Sequence, residues 1–126
     1  MSKQRNFGNE RKQMQKEGTC PAWMTTMGWQ LFSEKYTRIA KTLAQYAPTE
    51  YPDFWDSSEY FKGLSWEEAF FKTMWEGFIS PSTPLLSNTG TDYGMSVSCS
   101  GSYVGNSVYD FYDTRKSNAM LSKEGF

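Results

Sequence analysis

The chain has 126 residues, the length of one domain, and its 13 Lys and Arg nearly balance 14 Asp and Glu. This balance argues against a nucleic-acid-binding surface, and no apolar run reaches the roughly 18 residues that a membrane span needs. Histidine, the commonest metal ligand and general base, is absent, and Cys20 and Cys99 have no metal-site spacing. We therefore predict no bound metal, no membrane contact and no nucleic-acid partner.

Aromatic residues dominate the apolar part of the composition, with 5 Trp, 8 Tyr and 9 Phe. They supply the large buried area that the scarce aliphatic residues cannot. Because few aliphatic side chains fill the space between the rings, we expect some rings to pack against another polypeptide. The first residues carry no apolar leader, and two distant cysteines make no disulfide framework, which together predict a cytoplasmic location.

Two helices are predicted in the first 45 residues. Residues Glu10 to Glu17 are polar and can form a surface helix that ends at Gly18, although their charge favours a solvated or frayed arm. A longer, amphipathic helix follows Thr25 or Thr26 as its N-cap. Its apolar face carries Met27, Leu31, Phe32, Tyr36, Ile39 and Leu43, and Glu34, Lys35, Arg38 and Lys41 lie largely on its wet side.

A third predicted helix has a well-specified start. Ser65-Trp66-Glu67-Glu68 matches a capping box, in which the Ser65 side chain and the Glu68 carboxylate each accept from the other residue's backbone N–H. The apolar face of this helix comprises Trp66, Ala69, Phe70, Met74 and Phe78, and Gly77 marks its fraying end.

Small and polar residues predominate after Pro81. Met95, Val97 and Cys99 alternate with serines, which predicts one short strand with these three side chains on one face. Residues 107–126 again have a helical pattern. The expected packing residues of this last helix are Val108, Phe111, Tyr112, Ala119 and Leu121.

Two runs in the polar region resemble an active-site segment. Residues 83–91 read TPLLSNTGT, residues 98–101 read SCSG, and residues 105–107 read GNS. Together they resemble the first active-site segment of the large subunit of class I ribonucleoside-diphosphate reductase. Residues 21–32 resemble the lead-in of compact, phage-like members, and residues 121–126 resemble the opening of the first effector loop. The resemblance covers nearly the whole chain.

The resemblance implies a fold, a reaction and a location. In that family helices precede a ten-stranded α/β barrel, so residues 1–79 would be the N-terminal helical region and residues 80–126 the truncated start of the barrel. The fragment itself is expected to be mainly α-helical, with one or two short strands that include the first barrel strand carrying Cys99. The family reduces ribonucleoside diphosphates to deoxyribonucleotides for DNA synthesis by thiyl-radical chemistry. For a viral member the location would be the host cytosol.

Cys99 is the catalytic residue that the resemblance implies. It matches the first cysteine of the pair that supplies reducing equivalents and closes a disulfide. By its spacing alone, Cys99 would be interpreted as a small buried apolar residue. Cys20 has no catalytic counterpart in the family and is expected to be an ordinary thiol.

Thr83, Ser98 and Cys99 match positions that contact the substrate in the family. A hydroxyl and nearby backbone N–H groups suit phosphate or ribose oxygens, because they donate hydrogen bonds without bringing a strong base close to a radical. The alternative for the hydroxyl residues is structural, namely capping or turn formation beside Pro84.

Asn106, Ser107 and Val108 match the place where the family binds the base and ribose of a nucleoside triphosphate effector, at a subunit interface. Many members carry aspartate where Asn106 stands. Asparagine keeps the hydrogen-bonding capacity but loses the charge. The alternative is a simple turn at Gly105-Asn106.

No cofactor is expected on this chain itself. By the resemblance, a small metal-containing subunit supplies the radical, thioredoxin or glutaredoxin supplies electrons, and a nucleoside triphosphate acts as allosteric effector. The other partners would be the ribonucleoside diphosphate substrate and the remainder of the large subunit. Because the radical cysteine and the second reducing cysteine are missing from the sequence, the isolated chain is predicted to be inactive.

Three explanations of such a chain stay open. It is the N-terminal piece of a split reductase subunit, the first segment of an interrupted gene, or a non-catalytic retained fragment that acts as an interaction module. The break after Gly125-Phe126 favours an interruption over a domain boundary. The presence of Thr83, Ser98 and Cys99 favours enzyme ancestry, because packing does not need them.

Overall fold

The computed structural model describes residues 5–124, and the chain forms five α-helices in that range. They are α1 (Phe7–Lys16), α2 (Thr26–Ala44), α3 (Trp66–Trp75), α4 (Thr83–Asn88) and α5 (Val108–Lys123). The central element is α2, because α1, α3 and α4 each pack against it. The mainly helical character that the sequence predicts is confirmed. The outermost residues of the effector-loop resemblance, 125 and 126, lie outside the described range.

The predicted starts of α2 and α3 are confirmed. Thr25 is the N-cap of α2, and its Oγ1 accepts from the backbone N–H of Gly28 at 3.0 Å. The capping box of α3 is complete. The Glu68 backbone N–H donates to Ser65 Oγ at 3.3 Å, and the Ser65 N–H donates to the Glu68 carboxylate at 2.8 Å. Both helices therefore begin where nearby side chains satisfy N–H groups that the helix leaves free.

The expectation of a solvated or frayed arm before Gly18 is wrong, because the first helix is longer than predicted and is docked on the core. It begins at Phe7, after the N-cap Asn6, and is followed by Gly18 at φ +74°. Phe7 and Met14 pack against buried residues that follow the helix. Arg11 Nη1 also donates to the Met24 carbonyl at 3.0 Å, so that polar and apolar contacts together fix α1 beside α2.

Two clusters of buried side chains form the core. The first contains Cys20, Met24 and Trp29, with the Trp75 ring of α3 edge-on to Trp29 at 5.1 Å between centroids. The second contains Ile39, Ala40 and Met74, and residues of α3 and α4 pack around it. Cys20 is 5% exposed, which places this thiol in the core as a packing residue.

An aromatic cluster organises the loop between α2 and α3. Trp55 is buried and its indole N–H donates to the Leu64 carbonyl at 3.1 Å. The indole N–H of Trp66 donates to the Pro48 carbonyl at 3.0 Å, which attaches the start of the loop to α3. The rings packed around Trp55 are those of Tyr51, Phe54, Phe61 and Trp66.

Several predicted packing residues lie on the surface instead. Phe78 is 72% exposed and Val108 is 75% exposed. Within the described range, α5 packs on none of the other helices, and Phe111 and Tyr112 are exposed as well. These expectations were wrong because a periodic apolar pattern says which side chains share a face, whereas burial needs a second surface opposite that face.

The strand predicted at Met95–Cys99 does not form anywhere in residues 5–124, where no segment is a strand. A strand needs a neighbouring strand to satisfy its backbone groups. The backbone N–H of Met95 donates instead to the carbonyl of Glu124 at 2.9 Å. Across the same residues, no helix is both long enough and apolar enough to cross a bilayer.

The hydroxyl of Tyr60 is buried, and it has no hydrogen-bond partner among the residues that the structure describes. Burial raises the pKa of Tyr60 from 10.0 to about 12, and the nearby Glu76 carboxylate, which favours the protonated hydroxyl both as an acceptor and by its negative charge, adds to this effect. The unfolded chain therefore ionises at a lower pH than the folded chain. Ionisation of Tyr60 therefore leaves the free energy of unfolding unchanged well below pH 10 and lowers it as the pH rises from 10 toward 12.

Replacing Tyr60 by phenylalanine should remove this alkaline sensitivity. We expect Tyr60→Phe to be as stable as the native chain at pH 8, or about 1 kcal/mol more stable, because it removes an unpaired buried hydroxyl. Between pH 9 and 11.5 its free energy of unfolding should fall less than that of the native chain. Urea unfolding at a series of pH values measures both. Equal pH dependence in the two proteins would contradict the assignment.

Candidate functional site

The TPLLSNTGT run begins as a short helix that the sequence reading missed. Thr83 and Pro84 lie in the first turn of α4, and Asn88 is its last residue. Proline suits this position, because it lacks an N–H that would have no partner there and its φ is already helical. Ser82 in the N-cap position, with Pro84 two residues later, was the signal that could have revealed the helix.

Arg38 of α2 holds the C-terminal end of α4. Its Nε donates to the Thr89 carbonyl at 2.9 Å, and its Nη2 donates to the carbonyls of Leu86 at 2.5 Å and Ser87 at 3.2 Å. The end of a helix leaves such carbonyls unpaired and favours a positive charge beside them. Arg38 was expected on the wet side of α2, and it lies instead partly buried against the motif.

Polar side chains of the motif connect α4 to the segment that follows it. Asn88 Nδ2 donates to the Met95 carbonyl at 2.8 Å, and Thr89 Oγ1 donates to Ser96 Oγ at 2.8 Å. Thr91 Oγ1 turns back and donates to the Asn88 carbonyl at 2.7 Å. The motif therefore folds onto the residues directly before the SCSG run.

Gly90 is required by its conformation and by its surroundings. Its φ is +74°, a region that residues with a Cβ rarely adopt. A Cβ at this position would also overlap Thr42 Oγ1 and lie 3.1 Å from Arg38 Cγ, both on α2. The turn after α4 can therefore approach α2 this closely only with glycine.

Replacing Gly90 by alanine should destabilise the fold by about 2–4 kcal/mol. The left-handed conformation accounts for about 1–2 kcal/mol, and the overlap with α2 adds the rest. Gly18→Ala is the matched control, because Gly18 has the same φ of +74° and nothing within 4 Å of the added Cβ. We expect it to cost only the conformational part. Chemical denaturation of both variants measures the difference, and equal costs would show that the contact with α2 is unimportant.

Ser98 and Cys99 lie together at the surface. Both side chains are exposed, and Ser98 Oγ is 3.8 Å from Cys99 Sγ. With Ser100, Asn118 and Ser122 they line an open cavity of about 470 Å³. The reading of Cys99 as a small buried residue is therefore wrong in this structure.

The residues predicted to bind the effector lie at the start of α5. Ser107 is the N-cap, and its Oγ accepts from the Asp110 backbone N–H at 3.1 Å and donates to the Asp110 carboxylate at 2.6 Å. Asn106 and Val108 are exposed. These three residues line a cavity of about 380 Å³ together with Phe111.

The site residues predicted from sequence thus fall into separate groups. Ser98 and Cys99 share one cavity, Asn106, Ser107 and Val108 share another, and Thr83 lies outside both at the exposed start of α4. Over the range 5–124, no group of three His, Cys, Asp or Glu side chains comes together in a way that could hold a metal ion.

Comparison with known proteins connects this arrangement to one family. A family model described as the all-alpha domain of ribonucleotide reductase matches residues 26–94, more than half of the chain. The match begins at the first residue of α2, includes α3 and α4 with the whole TPLLSNTGT run, and ends before Ser98. No curated protein and no solved structure matches the chain significantly. The helices seen at residues 26–94 agree with an all-alpha domain, and the chain belongs to the ribonucleotide reductase all-alpha domain family.

Proposed function

We propose that this chain is the N-terminal part of a ribonucleotide reductase large subunit and supplies one reducing cysteine to the active site. The observation that carries the proposal is the all-alpha domain match across residues 26–94, which contains the TPLLSNTGT run and ends just before the SCSG run. The substrate class is a ribonucleoside diphosphate. In this proposal residues 1–79 are the helical region, and residues 80–126 open the ten-stranded α/β barrel that the rest of the subunit completes.

Cys99 is the reducing thiol in this proposal. Replacing the ribose 2′-hydroxyl by hydrogen releases water and takes two electrons, which two thiols provide as they join in a disulfide. The exposure of Cys99 leaves it accessible to substrate and to a second thiol. Cys20 is buried in the core cluster around Trp29, so the second thiol comes from outside this sequence.

Thr83 and Ser98 are the substrate-contacting hydroxyls. Ser82, not Thr83, is in the N-cap position of α4, and the Thr83 side chain makes no hydrogen bond to any residue from 5 to 124. Its hydroxyl is therefore free to donate to a phosphate or ribose oxygen. The hydroxyl of Ser98, next to the Cys99 thiol, is a second hydrogen-bond donor for the substrate.

The start of α5 is the proposed effector site for the base and ribose of a nucleoside triphosphate. The Asp110 carboxylate next to Ser107 suits ribose hydroxyls, which donate hydrogen bonds, and Phe111 offers a ring for base stacking. Neither Gly105 nor Asn106 has the positive φ that the tight hairpin turns require. The backbone angles of Gly105 and Asn106 therefore do not support a tight hairpin turn at these two residues.

The radical would come from a small metal-containing subunit, and electrons would come from thioredoxin or glutaredoxin. The exposed rings and the exposed apolar side chains of α5 fit a chain that assembles with further protein. The same exposure would serve a non-catalytic interaction module, which is the second candidate function. The two candidates differ in whether Cys99 reacts.

Reconstitution tests the proposal. The purified chain alone should form no deoxyribonucleotide, because one reducing thiol cannot complete the two-electron step. Mixed with a polypeptide that carries the other active-site cysteines, and with the radical-generating subunit and a dithiol, it should support turnover. A stable complex that never turns over substrate would favour the interaction module. Turnover by the chain without that polypeptide would overturn the proposal.

A further inference from the structure

We propose that Arg38 is a positioning residue for the reducing thiol. From α2 it fixes the end of α4, and through α4 it fixes the segment that carries Ser98 and Cys99. This inference rests on the function proposed above for Cys99, and it assigns a role in the reaction to a residue of the helical domain that does not touch the thiol.

Arg38 contacts the end of α4 through its guanidinium group. One guanidinium reaches the carbonyls of Leu86, Ser87 and Thr89, at 2.5, 3.2 and 2.9 Å. Its planar array of donors can serve several acceptors at fixed angles, which a lysine ammonium on a flexible stem does not reproduce. Among residues 5–124, Arg38 forms no salt bridge, so its charge is directed to these carbonyls alone.

The aliphatic stem of Arg38 contributes as well. The backbone of Gly90 lies close enough to α2 that an added Cβ would be 3.1 Å from Arg38 Cγ. The guanidinium therefore binds the residues before the turn while the stem packs against the turn itself. Contacts at both ends of one side chain leave the turn little freedom to shift along α2.

Thr89 connects α4 to the segment that carries Ser98 and Cys99. Its carbonyl accepts from Arg38, and its Oγ1 donates to Ser96 Oγ, two residues before Ser98. The neighbouring Asn88 side chain binds the Met95 carbonyl. Thr89 is therefore held against α2 by Arg38, and it in turn holds Ser96, just before the SCSG run.

These two bonds have no substitute elsewhere in the described structure. In residues 5–124, every side-chain hydrogen bond between the helical core and residues 95–124 involves Asn88 or Thr89. The helix that follows, α5, packs on none of α1 to α4. A displacement of about 1 Å at a reacting group can cost about a hundredfold in rate. Weakening the hydrogen bonds made by Asn88 and Thr89 should therefore slow the step that uses the Cys99 thiol.

Hydrogen exchange on the full chain tests the structural half of the inference. The backbone amides of Leu86, Thr89 and Thr91 donate within and just after α4 and report its order. We expect Arg38→Gln to speed their exchange at least tenfold and Arg38→Lys to have a smaller effect. Lys41→Gln, on the exposed side of α2, is the control and should change nothing. Unchanged exchange in both Arg38 variants, with α3 still protected, would overturn the inference.

Steady-state kinetics of the reconstituted large subunit test the catalytic half. We expect Arg38→Gln to lower kcat at least tenfold and to raise the KM for ribonucleoside diphosphate, with Arg38→Lys recovering part of both. Simple unfolding would also lower the apparent kcat at unchanged KM, so kcat is referred to the amount of assembled subunit. A native kcat per assembled subunit in Arg38→Gln would overturn the positioning role. If the native assembly itself shows no turnover, the proposed function fails. The exchange measurement then still decides whether Arg38 fixes the segment.

Discussion

Replacement of Cys99 by serine should abolish sustained, dithiol-dependent turnover of the reconstituted reductase, by roughly a thousandfold or more. Serine keeps nearly the volume of cysteine, so partner binding should survive. Its hydroxyl cannot form the disulfide that takes up two electrons in each cycle. Because Cys99 is exposed and has no packing role here, the loss should come from chemistry and not from misfolding.

Cys20→Ala is the matched control, because the only other thiol of the chain is buried beside Met24 and Trp29. We expect this variant to keep its turnover apart from a modest loss of stability. Peptide mapping of the native complex after substrate addition, without added oxidant, should find Cys99 in a disulfide with a cysteine of the partner polypeptide. Product that accumulates while Cys99 stays a free thiol would refute its role as a reducing cysteine.

Truncation of Ile39 to alanine should lower the free energy of unfolding by about 2–5 kcal/mol. Ile39 is 0% exposed and belongs to the buried cluster with Ala40 and Met74, against which Leu85 and Leu86 of α4 pack. The cavity left by the missing methyl and methylene groups cannot be filled by rigid helices on three sides. The loss should therefore be near the upper part of this range.

Leu31→Ala on the same helix is the control, because Leu31 is 52% exposed. We expect it to change stability by less than about 1 kcal/mol. Urea denaturation followed by tryptophan fluorescence measures both variants. Similar costs for the two substitutions would mean that Ile39 is not at the centre of the core.

Helix starts were the features of the fold that the sequence specified best. The N-caps at Thr25 and Ser65 involve groups only three residues apart, so the residues that decide them are neighbours in the chain. The TPLLSNTGT run likewise pointed to the ribonucleotide reductase family before any contact was known, and the domain match at residues 26–94 confirmed it. The roles of Cys99, Thr83 and the effector residues stay predictions.

By itself, then, the sequence determined where α2 and α3 begin and to which family the chain belongs, because both depend on short runs of adjacent residues. Only the tertiary structure decided that Arg38 binds the end of α4, across 48 to 51 positions of sequence, and that Gly90 must be glycine where the turn meets α2. The same holds for the strand that did not form at Met95–Cys99. Local periodicity does not show which distant group a residue will contact, whether a carbonyl, a neighbouring helix or a second strand. A segment with the pattern of a strand does not form a strand when no second strand is present to pair with it.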